Sequence, residues 1–220
     1  IYKPSFICKP SHLKIDIKQY YKKINITNKY EIIKFKDDDK YINKELCLLL
    51  KTSGSTGETK YVKLTYTNLK ENLLGIVNKL KIDSSHSTIT TLPPEYTYGL
   101  SILNTHLYVG ASILMNRSSV IEKSFWEKVK KYKISSFGGV PFTYEILKKI
   151  KFEKMLTKNS YLRYLTQAGG KISDEMHLYL LKTLKNNDIK FFPMYGATEA
   201  TSRMSILDYK HSNKIGSIGK

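Results

Sequence analysis

Two short stretches of the chain carry side chains whose types and spacing suit the binding of phosphate. The first, Thr52-Ser53-Gly54-Ser55-Thr56-Gly57-Glu58-Thr59-Lys60, follows the apolar run Leu46-Cys47-Leu48-Leu49-Leu50. Glycines let successive backbone N–H groups converge on an anion, hydroxyls add donors, and a lysine neutralises charge. It is not a Walker loop, which needs Gly-Lys followed by Ser or Thr; here Lys60 lies beyond Gly57 and Tyr61 follows. A plain Ser/Thr/Gly turn accounts for the composition equally well. The second stretch is Met194-Tyr195-Gly196-Ala197-Thr198-Glu199. Tyr195 offers a planar face to a base, Thr198 a hydroxyl to phosphate, and Glu199 a carboxylate able to hold Mg²⁺. By itself it is also a common turn leading into a helix.

These residues need elements to position them, and the hydrophobic pattern supplies candidates. Leu46–Leu50 reads as a buried strand, and Thr67 as the N-cap of a helix with Leu69, Leu73, Ile76, Val77 and Leu80 on its apolar face. Strands are expected over 87–92, 111–115, 134–137, 163–167 and 189–192. Helices are expected over 99–108, 121–131, from Pro141 to about Ile150, and after a Ser173 cap. Strand and helix alternate, with glycines at several strand exits. The pattern predicts an α/β fold with a mainly parallel sheet and flanking helices, in which ligands sit at the carboxyl ends of strands. Residues 1–45 read as a segment distinct from 46–220.

Composition narrows the functional classes. With 41% hydrophobic and 25% charged residues the chain is globular in type. No apolar run approaches the ~20 residues of a membrane-spanning helix, and Lys3, Lys9 and Lys14 interrupt any leader-like start. Cys8 and Cys47 form neither a disulfide framework nor a metal site; they are expected to be small buried hydrophobes in a cytoplasmic, reducing setting. His12, His86, His106, His177 and His211 are too dispersed for a metal cluster, and His106 is expected to be a satisfied core or edge residue. The net charge is +18, yet only Arg117, Arg163 and Arg203 are arginines among 37 basic residues. Lysines scattered along the whole chain, Lys128, Lys130, Lys131 and Lys133 among them, read as solvated surface, and the near-absence of guanidinium argues against nucleic-acid recognition. The Tyr20-Tyr21 and Phe191-Phe192 pairs are read as packing.

In this order, the two loops resemble the signatures of the acyl-adenylate-forming superfamily, which includes acyl- and aryl-CoA ligases, peptide-synthetase adenylation domains and firefly luciferase. Further landmarks keep the family's order. Leu92-Pro93-Pro94-Glu95-Tyr96-Thr97-Tyr98-Gly99-Leu100 resembles its Leu-Pro…His-x-x-Gly-Leu segment, and Gly139-Val140-Pro141 its Gly-Val-Pro. Gly169-Gly170-Lys171 stands at its Gly-Gly-Glu, and Ile215-Gly216-Ser217-Ile218-Gly219 is similar to its Gly-Ser-Ile-Gly. The resemblance implies that Thr52, Ser53, Gly54, Ser55, Thr56, Gly57 and Lys60 bind the β/γ-phosphates of ATP. It implies that Tyr195 stacks on adenine, that Gly196 and Ala197 back the AMP together with Gly169 and Gly170, and that Thr198 binds the α-phosphate. Glu199 would coordinate Mg²⁺, with help from Thr52. Lys60, Thr198 and Glu199 would thus carry the catalysis, and Tyr96, Gly139 and Val140 would border the acid's pocket. The implied reaction is activation of a carboxylic acid as acyl-AMP, then transfer to CoA or to the phosphopantetheine thiol of a carrier protein.

The chain departs from the family at Thr59 (usually Pro), Tyr61 (usually Gly) and Tyr96 (often His). No Asp occurs between Asp83 and Asp174 to hold a substrate amine, which favours a non-amino acid. An amino-acid adenylating enzyme serving a carrier protein stays open, as does a non-catalytic basic module binding anions or nucleic acid. The resemblance covers 46–220 and stops before the family's ribose-binding Asp, hinge and C-terminal domain with its catalytic lysine. The whole of 1–220 is therefore expected to be the central piece of one AMP-binding domain, with 1–45 ending the preceding subdomain. The 220-residue chain alone is predicted to show little or no carboxylate-dependent ATP–pyrophosphate exchange; robust exchange in a radiolabelled pyrophosphate assay would contradict this.

Overall fold

The computed structural model describes residues 5–14, 22–35, 43–52, 60–156 and 161–220. By internal contacts the chain forms two compact units, Ile1–Lys44 and Glu45–Lys220. In the first, β1 (Phe6–Pro10), β2 (Lys22–Thr27) and β3 (Tyr30–Lys34) make an antiparallel sheet in the order β1-β3-β2. The most buried charge among its described residues is Glu31, which lies against Lys9 and takes the Lys23 Nζ at 2.5 Å. Those ammonium partners, Lys23 first, lower the Glu31 pKa. Cys8 is exposed and Cys47 half-buried, so neither is the buried hydrophobe that its residue type suggested.

The second unit opens with an antiparallel hairpin of β4 (Leu46–Thr52) and β5 (Lys60–Thr65). β4 is thus outside the parallel sheet, and among its residues only Leu50 is fully buried. Thr65, two residues before the expected position, caps α1 (Tyr66–Leu80): its side chain accepts from Asn68 N while Asn68 Oδ1 accepts from Thr65 N, a reciprocal capping box. Beyond it come β6 (Ser87–Ile89), α2 (Thr97–Tyr108), β7 (Ser112–Leu114), α3 (Lys123–Lys131), β8 (Ser136–Gly139), α4 (Pro141–Lys149), β9 (Tyr164–Gln167), α5 (Asp174–Lys185), β10 (Lys190–Tyr195) and β11 (Ser205–Ile206). Pro141 begins α4 and Ser173 caps α5, both as their residue types dictate.

The main sheet has the order β11-β10-β9-β8-β6-β7 and is parallel except for β11. A largely parallel sheet must be covered on both faces. On one face Phe125, Tyr144, Leu147, Leu180 and Leu184 from α3, α4 and α5 pack against Phe137, Leu165 and Phe191. On the other, Ile76, Leu80, Tyr98 and Ile102 from α1 and α2 pack against Tyr164, Phe192 and Met194. The Phe191-Phe192 pair is therefore split across the sheet: Phe191 meets the Tyr144 ring edge-on, and Phe192 meets Tyr164. Lys128 differs from the solvated lysines around it, because its Nζ bonds Asn116 Oδ1 at 2.9 Å and Ser118 Oγ at 2.8 Å.

His106 on α2 is 2% exposed. Its Nδ1 lies 2.8 Å from the Ile102 carbonyl, which makes Nδ1 the donor and leaves Nε2 buried without a partner among the described residues. Only half of the ring is satisfied, where full satisfaction was expected. Burial pushes its pKa from 6.5 down to about 4. The unfolded chain therefore binds a proton before the folded one does, and the stability present above pH 6.5 is lost as pH falls towards 4. That loss amounts to roughly 3 kcal/mol. Urea unfolding of His106→Leu between pH 7 and pH 4 should show a correspondingly shallower acid limb than the unsubstituted chain.

Candidate functional site

Parallel strands deliver their carboxyl ends to one edge, and the candidate residues gather there. Gly139 ends β8 beside Gln167 of β9, and Gln167 lies beside Pro193 of β10. The exit of β9 turns at Gly169, with φ of +80°, and a Cβ there would stand 2.3 Å from Tyr96 Oη and 3.1 Å from Val140 Cγ1. Only glycine meets both conditions. Tyr96, Val140 and Gly169 are thereby brought together, Gly139 packs against Thr143 and Tyr144, and Gly170 packs against Pro141. The buried Gln167 side chain donates to Gly170 O at 2.8 Å and fixes this turn from below.

The exit of β10 carries the second motif. Tyr195 is 49% exposed, leaving a ring face open to a planar partner. Gly196 has no room for a side chain, since a Cβ would lie 2.4 Å from Arg203 N and 3.0 Å from Ser202 C. The following residues curl back on themselves: Ala200 N bonds Ala197 O, Thr201 N bonds Thr198 O, and Glu199 bridges to Thr201. Thr198 Oγ1 lies 3.3 Å from Thr97 Oγ1 at the start of α2, and Glu199 is exposed. Asn72 of α1 donates to Ser202 O at 2.7 Å.

The first motif is only framed by the described residues. Ser53, Gly54, Ser55, Thr56 and Gly57 lie outside them. Thr52 and Lys60 face each other where β4 and β5 open, Thr52 Oγ1 donating to Lys60 O at 3.4 Å. Among the described residues no hydrogen bond or ion pair joins either of them to Glu199. A small cavity is walled by Leu50 and Leu64 of this hairpin, by Asn72 and Ile76 of α1, and by Thr97 and Thr201. The hairpin and the turn that follows the second motif thus border one space.

The donor set suits a nucleotide and one hard cation. A carboxylate, hydroxyls and a backbone cradle are the groups Mg²⁺ and phosphate use, and Mg²⁺ typically takes one or two protein carboxylates with the rest from phosphate and water. Among the described residues no group of three His, Cys, Asp or Glu could hold a metal by itself, so Glu199 would share the ion with phosphate oxygens. Thr97, Asn72, Ser202 and Arg203 were not among the sequence candidates. Arg203 had left one sign, as one of three arginines in a lysine-rich chain.

An α/β domain whose candidate residues gather at the carboxyl edge of a parallel sheet is the class that fold and site define. The chain matches the AMP-binding enzyme family over residues 9–220, and it belongs to that family. It is 28% identical over 177 residues to the oxalate–CoA ligase of Arabidopsis thaliana, covering 79% of this chain and 34% of that one. It is 30% identical over 173 residues to a 2-succinylbenzoate–CoA ligase of Listeria monocytogenes, covering 77% and 35%. The o-succinylbenzoate CoA synthetase of Bacillus subtilis, solved with its acyl-adenylate intermediate, shares the fold at a TM-score of 0.68 and 22% identity, over 78% of this chain and 34% of that one. The chain therefore spans about a third of the length of the curated relatives it matches. No helix among the described residues is long and apolar enough to cross a membrane.

Gly196 gives the sharpest local test. Gly196→Ala should displace the 201–203 turn and raise amide hydrogen exchange in 195–203, while exchange in β8 and β9 stays unchanged. Unaltered exchange in 195–203 would mean that the close approach does not constrain the turn.

Proposed function

We propose that the whole protein of which this chain is part activates a carboxylic acid with Mg-ATP and transfers the acyl group to CoA. The observation that carries this reading is the Tyr195–Glu199 turn at the carboxyl edge of a parallel sheet, in a chain matched by the AMP-binding family. Tyr195 would receive adenine on its open face, with Gly196, Ala197, Gly169 and Gly170 shaping the AMP subsite. Thr52, Ser53, Gly54, Ser55, Thr56, Gly57 and Lys60 would hold the β- and γ-phosphates, and Thr198 the α-phosphate. Tyr96, Gly139 and Val140 would border the acid. Bound Mg²⁺, held by Glu199 with Thr52 in support, supplies neutralisation of phosphate charge.

A carboxylate is a weak nucleophile, so the residues contribute position and electrostatics more than bond-making. One carboxylate oxygen forms a bond to the α-phosphorus, the bond between that phosphorus and the bridging oxygen breaks, and pyrophosphate leaves. Lys60 would stabilise the negative charge on the departing pyrophosphate. In the second step a thiol sulfur attacks the acyl carbon and AMP leaves with its electron pair. The similarity to CoA ligases favours CoA over a carrier-protein thiol, and the absence of an Asp near Tyr96 favours a non-amino acid. The unpaired thiols of Cys8 and Cys47 support a reducing, cytoplasmic setting, and residues 1–45 would close the subdomain that precedes the nucleotide site.

The test is acid-dependent ATP–pyrophosphate exchange by the full-length protein against short dicarboxylic, aryl, fatty and amino acids. Exchange with a non-amino acid is expected, and Glu199→Gln should lower its rate about 100-fold, the order seen when one preorganised electrostatic group is removed. Exchange supported only by amino acids would transfer the reading to the amino-acid-activating members, and salt-sensitive DNA binding without ATP binding would replace it altogether.

A further inference from the structure

One guanidinium in the protein is buried outright. Arg203 is 3% exposed, and among the described residues no carboxylate pairs with it. Its Nε donates to Ser101 Oγ at 2.9 Å and its Nη2 to Thr105 Oγ1 at 3.2 Å, with the guanidinium carbon 5.9 Å from the centre of the Tyr98 ring. Both hydroxyls have their own protons engaged inside α2, Ser101 Oγ with Tyr98 O and Thr105 Oγ1 with Ser101 O, each at 2.8 Å. Each therefore turns a lone pair towards the arginine, and the fork finds two acceptors one helical turn apart. Burial lowers the Arg203 pKa to about 10, which leaves the cation intact at neutral pH.

A buried cation without a counter-charge is poorly explained as a stabiliser, since an apolar side chain of similar volume often serves stability equally well. What the guanidinium does is grip a strained turn. Thr201 and Arg203 have φ of +68° and +54°, in the left-handed region that side chains with a Cβ seldom enter and β-branched ones least of all. Such conformations persist where their surroundings over-determine them. Asn72 holds the carbonyl of Ser202, and Arg203 supplies the remaining anchor. The Arg203 backbone is also the wall against which Gly196 lies, and α2, the helix it grips, presents Thr97 to Thr198. Helix, turn and motif form a closed circuit through one side chain.

We propose that Arg203 is a positioning residue for adenylation, one that sets Gly196–Glu199 against α2 without itself touching nucleotide, acid or metal. This rests on the adenylating reading given above. Displacements of about 1 Å in groups that align a reaction can cost on the order of 100-fold in rate, so the anchor matters to catalysis out of proportion to its effect on folding.

The experiment compares Arg203→Met and Arg203→Lys with the unsubstituted full-length protein by pyrophosphate exchange, thermal unfolding and amide hydrogen exchange. For Arg203→Met the expected result is a kcat about 100-fold lower, a thermal midpoint at or above that of the unsubstituted protein, and faster amide exchange confined to 195–203. Arg203→Lys keeps the charge but not the fork, and should recover part of the rate. Unchanged exchange kinetics in Arg203→Met overturn the proposal. So does a loss of activity accompanied by a lower midpoint or loss of protection across β8–β10, which would make the residue merely structural. If the unsubstituted protein exchanges pyrophosphate with no acid, it is the adenylating reading that fails. The amide measurement then still decides the anchor, because unaltered exchange in 195–203 would remove it.

Discussion

Thr166, in the middle of the parallel sheet, is held from both sides at once. Its carbonyl accepts from Tyr144 Oη at 2.6 Å, and its hydroxyl meets Tyr98 Oη at 2.6 Å. Tyr144 belongs to the α3–α5 layer and Tyr98 to the α1–α2 layer, so one residue of β9 ties both helical layers to the same level of the sheet. The tie sits next to Gln167, where β9 lies beside the ends of β8 and β10. Both phenols are buried, and burial raises both their pKa values, Tyr144 well above the usual phenol range. Both are therefore neutral at physiological pH, with Tyr144 donating to the Thr166 carbonyl. Helix positions on opposite faces are thereby referred to one point, and the loops leaving the three strand ends inherit that reference.

The precision of the edge then depends on backbones more than on side chains. Tyr96 can reach Gly169, and the 202–203 backbone can reach Gly196, only because neither glycine carries a Cβ. Close approach of this kind brings polar backbone groups into one small volume, and they need partners there. Gln167 and Asn72 supply them from side chains anchored in buried or half-buried positions. The arrangement leaves Tyr195 and Glu199 exposed and the turn beneath them hydrogen-bonded. That combination suits electrostatic catalysis, in which groups must already point correctly before charge develops. The +18 net charge is a different matter: lysines spread along the chain create a basic field of the kind that steers anions towards a protein, whereas Lys60 alone is placed at a proposed phosphate site.

What could be read in the sequence follows from the range of the interactions involved. Pro141 at the start of α4 and Ser173 capping α5 are local matters, decided within a few residues, and both were legible. The buried strand expected at Leu46–Leu50 is instead half of a hairpin with only Leu50 fully buried, because an apolar run of strand length looks alike in a buried parallel strand and in a hairpin. Its partner β5, with lysine and tyrosine interspersed, lacks the continuous apolar run that marks a buried strand. The displacement of the α1 cap from Thr67 to Thr65 turned on Asn68, which stands three residues after Thr65 and completes the reciprocal box, whereas the residue three after Thr67 is Lys70, which has no acceptor to offer. The site residues missed, Thr97, Asn72 and Ser202, act through partners over a hundred positions away, which no local pattern encodes.

Arg203 is the intermediate case. Its partners were invisible, but its residue type was informative in a chain that uses lysine almost everywhere else. An ammonium on a flexible stem cannot offer two fixed, divergent N–H donors to hydroxyls one helical turn apart, and it loses more hydration on burial than the diffuse guanidinium does. A position that needs both burial and a fork therefore excludes lysine on physical grounds. The other two arginines do not meet that description: Arg163 donates to Ser85 Oγ at 3.1 Å in an exposed contact, and no such burial is found for Arg117. Rarity marked three positions in the chain, and only the structure could show which of them is held inside.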